Sequence, residues 1–144
     1  MSISDVLHNK PSGVVKVRAA DTVQSVITKL AEHRIGAVIV EDQWMRPAGI
    51  FSERDFVNAT AEHGAQALTF PVERLMSAPM VTCRSTDKVE TAMSAMTLAR
   101  IRHLPVVDGG TLVGIVSIGD LVKHRLDEKA LEANVLLDIA RLHA

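Results

Sequence analysis

Two segments of the chain place a serine three residues before an aspartate, each directly after a short apolar run. They are residues 52–55 and 117–120. An ionised aspartate only accepts hydrogen bonds, so Asp55 or Asp120 can take two from the neighbouring hydroxyls of a ribose. The serine hydroxyl adds a donor. A helix beginning at this point offers free backbone N–H groups and the positive end of its dipole to a phosphate. These residue types at this spacing indicate nucleotide binding.

The same spacing is also that of a helix cap. In a capping-box variant, the serine accepts a hydrogen bond from a backbone N–H of the first turn, and the aspartate lies favourably in that turn. The helix gains about 1 kcal/mol in this way. Such caps are common, so a single copy would be explained by capping alone. At Ser52 and Ser117 both roles remain open, because one serine can serve a cap and a ligand.

The chain repeats itself well beyond these two segments. Asp55 and Asp120 lie 65 positions apart. Upstream pairs align at an offset of 66: Asp21 with Asp87, Val23 with Val89, Arg34 with Arg100, Ile35 with Ile101 and Val40 with Val106. A second hairpin that is one residue shorter explains the difference. Each copy is therefore predicted to run strand, helix, strand, strand, helix.

Hydrophobic periodicity and glycine positions give the predicted elements. A short helix is predicted over residues 2–7. Strands are predicted at 13–17, 36–40, 48–51, 80–83, 104–107 and 112–116. Helices are predicted to begin at Asp21, Ser52, Asp87 and Ser117, and Gly64 is a good stop for the second of these. The tight hairpin turn is expected at 108–110, where two glycines can adopt positive φ.

Composition excludes several classes of protein. The chain has 144 residues, 47% of them apolar, and 16 basic against 17 acidic side chains give a net charge of −1. This balance argues against general nucleic-acid binding. Cys83 is the single cysteine, so no internal disulfide can form and a reducing compartment is expected. The first ten residues lack a secretion signal, and no apolar run approaches the ~20 residues of a membrane span. We therefore expect a cytoplasmic protein without membrane contact.

The ordered set of motifs, present twice, resembles the CBS domain, named for cystathionine β-synthase. The motifs are a Leu-Pro-Val-Val-Asp strand at 104–108, a glycine-rich hairpin and the Gly-Ile-Val-Ser-x-x-Asp ending at 114–120. The resemblance implies an α/β (α+β) fold, in which two β-α-β-β-α repeats pack as a pseudo-two-fold pair followed by a C-terminal helix. The expected division is repeat 1 at 4–64, a linker at 65–74, repeat 2 at 75–128 and a helical extension at 129–144.

The resemblance also implies a function. In this family, clefts between paired repeats bind adenosine-containing ligands, and the usual role is regulatory. We therefore expect a regulator here and not an enzyme. AMP is the expected ligand, with ATP, ADP, NADH or S-adenosylmethionine as alternatives, and no metal is required. Two such pairs commonly associate as a disc-shaped homodimer. No output domain follows the second repeat here, so we expect the signal to reach a separate effector protein.

Carried over residue by residue, the resemblance predicts two unequal clefts. One combines Ser52, Asp55, Met80, Ile101, Arg102 and His103. The other combines Ser117, Asp120, Val14, Ile35 and Gly36. Related proteins often carry basic phosphate ligands at the positions of Arg102 and His103, and Arg54 adds a positive charge beside Asp55. We therefore expect the Asp55 cleft to hold phosphate better, although Arg54 and Arg102 could instead be ordinary surface charges. The first repeat also departs from the motif, since Ile39 stands where the second has Pro105.

Other residues suggest weaker alternatives. No histidine forms an i, i+4 pair with another histidine or with Cys83, so a zinc site lacks its ligand set. A lone cysteine beside Val81 and Thr82 is more often a buried apolar residue than a nucleophile. The methionines at 76, 80, 93 and 96 are explained by packing. The rival functions are a ligand-free interaction module and, with no nucleophile or acid–base pair to support it, an enzyme.

Two apolar features have no single explanation from sequence. Residues 121–144 contain no glycine or proline and are predicted to form one long helix with an apolar stripe. The stripe consists of Leu126, Ala130, Ala133, Leu137 and Ala140. It could pack against the protein's own body or form a dimer contact. Trp44, in the longer first hairpin, could anchor a partner or cover the edge of its repeat.

Overall fold

The structure, a computed structural model, describes residues 1–11 and 13–142. Its contacts divide the chain into two compact units. Unit 2 is Gly13–Val81, and unit 1 is drawn from Met1–Ser12 together with Thr82–Ala144. Each unit contains most of one predicted repeat, but the opening residues are exchanged. Residues 4–12 of repeat 1 belong to unit 1, and residues 75–81 of repeat 2 belong to unit 2.

The elements follow the predicted order with one exception, described below. The helices are α1 Ile3–His8, α2 Val23–His33, α3 Glu53–His63, α4 Val89–Ala99 and α5 Ile118–Leu142. The strands are β1 Lys16–Arg18, β2 Ala37–Glu41, β3 Pro47–Ser52, β4 His103–Asp108 and β5 Thr111–Ser117. Two 3₁₀ helices, Gly64–Thr69 and Val72–Arg74, follow α3. The mixed α/β class expected from the repeat is confirmed.

Unit 2 is built on a three-stranded sheet in the order β1-β2-β3. β1 is parallel to β2, and β2 is antiparallel to β3, with Ala37 opposite Ser52 and Val40 opposite Gly49. The apolar face of α2 packs on this sheet. The buried side chains of this core are Val17, Val23, Val26, Leu30, Val38, Val40, Phe51 and Val72. The sheet thereby fixes where β3 ends and α3 begins.

The segment between the repeats is folded into unit 2. Ala67 and Val72 have no exposed surface. Backbone hydrogen bonds from Val23 N to Phe70 O (2.9 Å) and from Val72 N to Asp21 O (2.8 Å) tie the segment to the start of α2. The residues expected to form a linker therefore carry part of this unit's core. The sequence boundaries of the two repeats stay a prediction.

Unit 1 contains a two-stranded antiparallel hairpin, β4-β5. Its turn has Gly109 at φ 54° and Gly110 at φ 80°, the left-handed conformations that made glycine the expected residue there. The core beneath the hairpin consists of Ile3, Val6, Cys83, Val89, Ala92, Met96, Leu104, Val106, Val116 and Leu121. Burial, reinforced by the carboxylates of Asp87 and Asp108, raises the pKa of the Cys83 thiol to about 11. Cys83 is thus a core residue, with its thiol protonated at neutral pH.

The strand predicted at residues 80–83 is wrong. Only a single bridge forms, in which Cys83 N donates to Pro105 O at 3.0 Å and Val107 N donates to Cys83 O at 2.8 Å. In unit 2 the ladder extends one step further, because Ile39 N donates to Val15 O at 3.2 Å. Pro105 occupies the position of Ile39 in the second repeat and has no N–H to donate. The proline therefore removes the bond that would have extended the strand.

The N-terminal helix α1 completes unit 1. Ile3 is fully buried and Val6 is 3% exposed. Ile3 N donates to Asp87 O and Ser4 N to Ser85 O, each at 2.9 Å, which fixes α1 beside the start of α4. A helix of six residues would not be stable alone, so burial in this core holds it.

Only the start of α5 is buried. Leu121 is fully buried and His124 is 8% exposed, whereas every residue from 129 to 142 is exposed. The predicted stripe is exposed too, with Leu126 at 65% and Leu137 at 56%. The stripe therefore does not pack against the protein's own body. The last two positions of the predicted helix, 143 and 144, lie outside the described residues.

Candidate ligand-binding site

Ser52 and Asp55 stand where β3 passes into α3. Ser52 is the N-cap, and Asp55 N donates to its hydroxyl at 3.3 Å, while Ser52 N donates to Asp55 Oδ2 at 2.9 Å. This reciprocal pair is a capping box, so the capping role is confirmed. The second carboxylate oxygen, Oδ1, accepts a hydrogen bond from Ser77 Oγ at 2.8 Å. The carboxylate that is predicted to bind ribose thus already accepts a hydrogen bond from a neutral donor.

Ser117 and Asp120 repeat this arrangement where β5 passes into α5. Ser117 N donates to Asp120 Oδ2 at 2.9 Å, and Asp120 N donates to Ser117 Oγ at 3.1 Å. Here the additional donor is charged. Lys10 Nζ lies 2.7 Å from Asp120 Oδ2 and also donates to Ile115 O at 2.8 Å. Both side chains are about one-quarter to one-third exposed, at 26% for Asp120 and 31% for Lys10.

Two opposing influences act on the Asp120 carboxyl. Partial burial would raise its pKa, but the hydrogen bonds and charge of Lys10, together with the bonds from Ser117, outweigh burial and hold the pKa below its usual value. Because the folded-state pKa is depressed, the stability gained here is present above the ordinary carboxyl pKa. It is lost as the pH falls through the folded-state value. At neutral pH the carboxylate is ionised, the form that only accepts hydrogen bonds.

Within unit 2, the structure brings part of both predicted residue sets together. Ser52 pairs with Ala37, and Glu53 N donates to Gly36 O at 3.0 Å, so Gly36 lies beside the start of α3. Ile35 is partly buried against the unit 2 core, and Ile35 N donates to Leu30 O at 3.1 Å. Three other predicted residues of this unit, Val14, Arg54 and Met80, lie outside its strands and buried core.

Unit 1 shows the same arrangement. His103 pairs with Ser117 across the hairpin, and Ile118 N donates to Arg102 O at 2.8 Å. Ile101 is partly buried against the unit 1 core. The two basic residues assigned to the Asp55 cleft are therefore neighbours of the Asp120 motif within one unit. The assembly of each cleft across the two repeats stays a prediction.

Lys10 and Ser77 were missed by the sequence analysis. Both lie in irregular segments, and neither belongs to a sequence motif that would predict a contact with a carboxylate. One internal signal existed. Leu7 lies against Gly114, and Met76 lies against Gly49, so the opening segments of the two repeats hold corresponding places in the two units. The duplication could have revealed this correspondence, but not the hydrogen bonds that follow from it.

No metal centre is found in the described part of the chain. Within residues 1–11 and 13–142, histidine, cysteine and carboxylate side chains form no group of three or more that could hold an ion. Buried His124 and partly buried Glu128 instead form a pair on α5, with Nε2 and Oε1 3.3 Å apart. None of the described helices combines the length and apolar character needed to cross a lipid bilayer.

Comparison with known proteins decides the family. The family model of the CBS domain matches residues 3–62 and 72–127, one match for each repeat. The chain belongs to the CBS-domain family. This CBS pair is 30% identical to the CBS domain-containing protein YhcV of Bacillus subtilis, over 89% of this chain and 90% of the relative.

Solved CBS structures agree with the fold. The CBS-domain containing protein ATU1752 from Agrobacterium tumefaciens is 40% identical, with a TM-score of 0.83, covering 86% of this chain and 92% of that chain. The CBS domain protein PAE2072 from Pyrobaculum aerophilum, solved in complex with AMP, is 32% identical, with a TM-score of 0.73. That match covers 83% of this chain and 89% of the other.

Proposed function

We propose that this CBS pair is a regulatory module that binds an adenosine-containing ligand, with AMP first among the candidates. The observation that carries the proposal is the duplicated strand-to-helix ending, where a capping serine and a carboxyl side chain stand at a helix N-terminus in each unit. The similarity to a CBS protein solved with AMP supports the same ligand class. The module binds without turnover and passes its signal to a separate effector protein.

Each part of the ligand has a chemical counterpart in the proposed site. The carboxylate of Asp55 or Asp120 accepts from the ribose hydroxyls, and the helix N-terminus and basic side chains receive the phosphate. Arg54, Arg102 and His103 are the proposed basic phosphate contacts. The remaining contributors to the two proposed clefts are Val14, Ile35, Gly36, Met80 and Ile101. Their backbone groups and apolar surface suit an adenine ring, which needs a slot with few polar contacts.

The first test separates capping from ligand binding at Asp55 and Asp120. Asp55→Glu and Asp120→Glu each keep a capping box, because glutamate is the usual residue at N3, the third helical position. The longer side chain moves the carboxylate away from the ribose position. We expect the free energy of unfolding of each variant to lie within about 0.5 kcal/mol of the wild-type value. The double variant should bind AMP at least about tenfold more weakly, since a charged hydrogen-bond pair is lost. Calorimetric titration and thermal unfolding measure the two effects.

Asp55→Ala and Asp120→Ala complete the comparison, because alanine removes the carboxylate and with it the acidic half of the capping box. They should lose about 1 kcal/mol of stability as well as affinity. Unchanged AMP affinity in the double glutamate variant would show that these carboxylates only cap helices. The ligand-free interaction module would then be the better description. Titration with ATP, NADH and S-adenosylmethionine on the same proteins ranks the alternative ligands.

We also propose that the pair forms a homodimer through α5. Its exposed part carries apolar side chains on more than one side, among them Leu126, Leu131, Val135, Leu136, Leu137, Ile139 and Leu142. So many exposed apolar side chains on one helix are typical of an interface. Leu126→Glu with Leu137→Glu should weaken the dimer at least about tenfold in sedimentation equilibrium, because it buries charge at the contact. Glu132→Gln on the same helix is the control. An unchanged dimer affinity in the leucine variant would exclude α5 as the dimer interface.

A further inference from the structure

The carboxylate of Asp120 is already occupied on the oxygen that holds the cap. Oδ2 accepts from Ser117 N at 2.9 Å and from Lys10 Nζ at 2.7 Å. A carboxylate oxygen has about two lone-pair sites, so these two donors saturate it. A ribose diol that bonds to both oxygens of Asp120 must therefore displace Lys10. The two interactions compete for one atom.

Asp55 offers a different starting point. Its Oδ1 accepts from the Ser77 hydroxyl at 2.8 Å, and its Oδ2 from Ser52 N at 2.9 Å and Ser52 Oγ at 3.1 Å. By the same count Oδ2 of Asp55 is saturated too, but the donors that a ribose would displace from Asp55 are hydroxyls. A hydroxyl is a neutral donor that can rotate and can accept a hydrogen bond in return. An ammonium bound to a carboxylate is a stronger partner and cannot accept. The two repeats thus hold the same carboxylate in unequal ways.

Lys10 is well placed to return to Asp120 after each displacement. It follows α1 by two residues, and α1 is fixed in the unit 1 core through Ile3 and Val6. Its ammonium is also held by Ile115 O at 2.8 Å, a contact that does not depend on Asp120. The cation therefore stays near the carboxylate even when a ligand takes its place.

We infer that Lys10 is an internal competitor for the ribose-binding carboxylate of the second repeat, and that it sets the Asp120 site to a lower nucleoside affinity than the Asp55 site. The inference rests on the proposed nucleotide-binding function and specifies how one of its two sites is regulated. Nucleoside binding at Asp120 releases Lys10 from that carboxylate, so occupancy is reported at the N-terminal segment. The Asp55 site, where Ser77 takes the place of Lys10, lacks this coupling.

The test uses the full chain and adenosine, which has the ribose diol but no phosphate that Lys10 could bind. Amide NMR signals of residues 52–55 and 117–120 report the two sites separately during one titration. Lys10→Met removes the charge at similar length and should raise adenosine affinity at Asp120 about twofold to fivefold, the strength of a partly exposed ion pair. Affinity at Asp55 should not change. Lys10→Arg keeps a cationic donor and should stay close to the wild type.

A second readout requires no ligand. The side-chain carboxyl signal of Asp120, followed against pH, should titrate at a higher pKa in Lys10→Met than in the wild type, because the ammonium no longer favours the ionised form. An unchanged pKa would show that the contact does not form in solution and would overturn the inference. Equal or lower adenosine affinity at Asp120 in Lys10→Met would do the same. Absence of adenosine binding at both motifs in every variant would contradict the proposed function itself.

Discussion

Replacing Ile3 with alanine will lower the free energy of unfolding by about 2–4 kcal/mol, although the residue lies third in the chain. Terminal residues usually tolerate substitution, since they are rarely tied down. Ile3 is an exception because it has no exposed surface and packs in the unit 1 core with Val89 and Leu104. Removing a buried isoleucine costs the transfer energy of the lost atoms and leaves a cavity.

Chemical denaturation monitored by circular dichroism measures this loss. Leu98→Ala is the matched control, because Leu98 is 86% exposed on α4 and its truncation should change stability by less than about 0.5 kcal/mol. A similar small effect for Ile3→Ala would mean that α1 does not dock on unit 1. In that case α1 would not hold Lys10 beside Asp120, and the competition proposed for Lys10 would also be contradicted.

The paired glycines of the repeat motif should respond unequally to the same substitution. A Cβ at Gly49 would lie 2.9 Å from the backbone oxygen of Ser77 and 2.6 Å from the sulfur of Met76. The backbone there is fixed by two hydrogen bonds between Ile50 and Ser77, at 3.0 and 2.8 Å. We expect Gly49→Ala to destabilise the protein by about 2–3 kcal/mol, because the clash cannot be relieved without breaking this bridge.

Gly114 provides the control within the same chain. A Cβ at Gly114 would meet Leu7 Cδ2 at 2.8 Å, which is the end of a flexible side chain rather than backbone. Leu7 can change rotamer, so Gly114→Ala should cost less than about 1 kcal/mol. Thermal and denaturant unfolding of both variants measure the difference. Equal losses would contradict the assignment of the Gly49 effect to the Ser77 backbone.

The fold was largely predictable because the sequence pattern of each element occurs twice. The capped start of α3 at Ser52, its end at Gly64 and the Gly109-Gly110 turn each follow from local chemistry that the sequence displays. The strand at 80–83 was not predictable from its own apolar residues. Its absence depends on whether a distant partner, Pro105, has a backbone N–H to give. A pattern read along one segment does not include the hydrogen-bonding capacity of its neighbour.

The site was predictable only in part, for a similar reason. Ser-x-x-Asp displays its own cap, so both roles of the motif could be stated from the sequence. Lys10 lies 110 positions from Asp120, and no periodicity connects them. The position of Lys10 follows from the packing of α1 in the unit 1 core, which sequence spacing does not reveal. Tertiary contacts of irregular segments are the part that local patterns leave undetermined.

The placement of α1 in unit 1 has a consequence for synthesis of the chain on the ribosome. Unit 2 is continuous, so it can fold as soon as residue 81 has emerged. Helix α1 is translated before unit 2, yet its burial requires Val116 and Leu121, which emerge much later. This segment of the nascent chain must therefore wait, with Ile3 and Val6 exposed to water, while unit 2 folds.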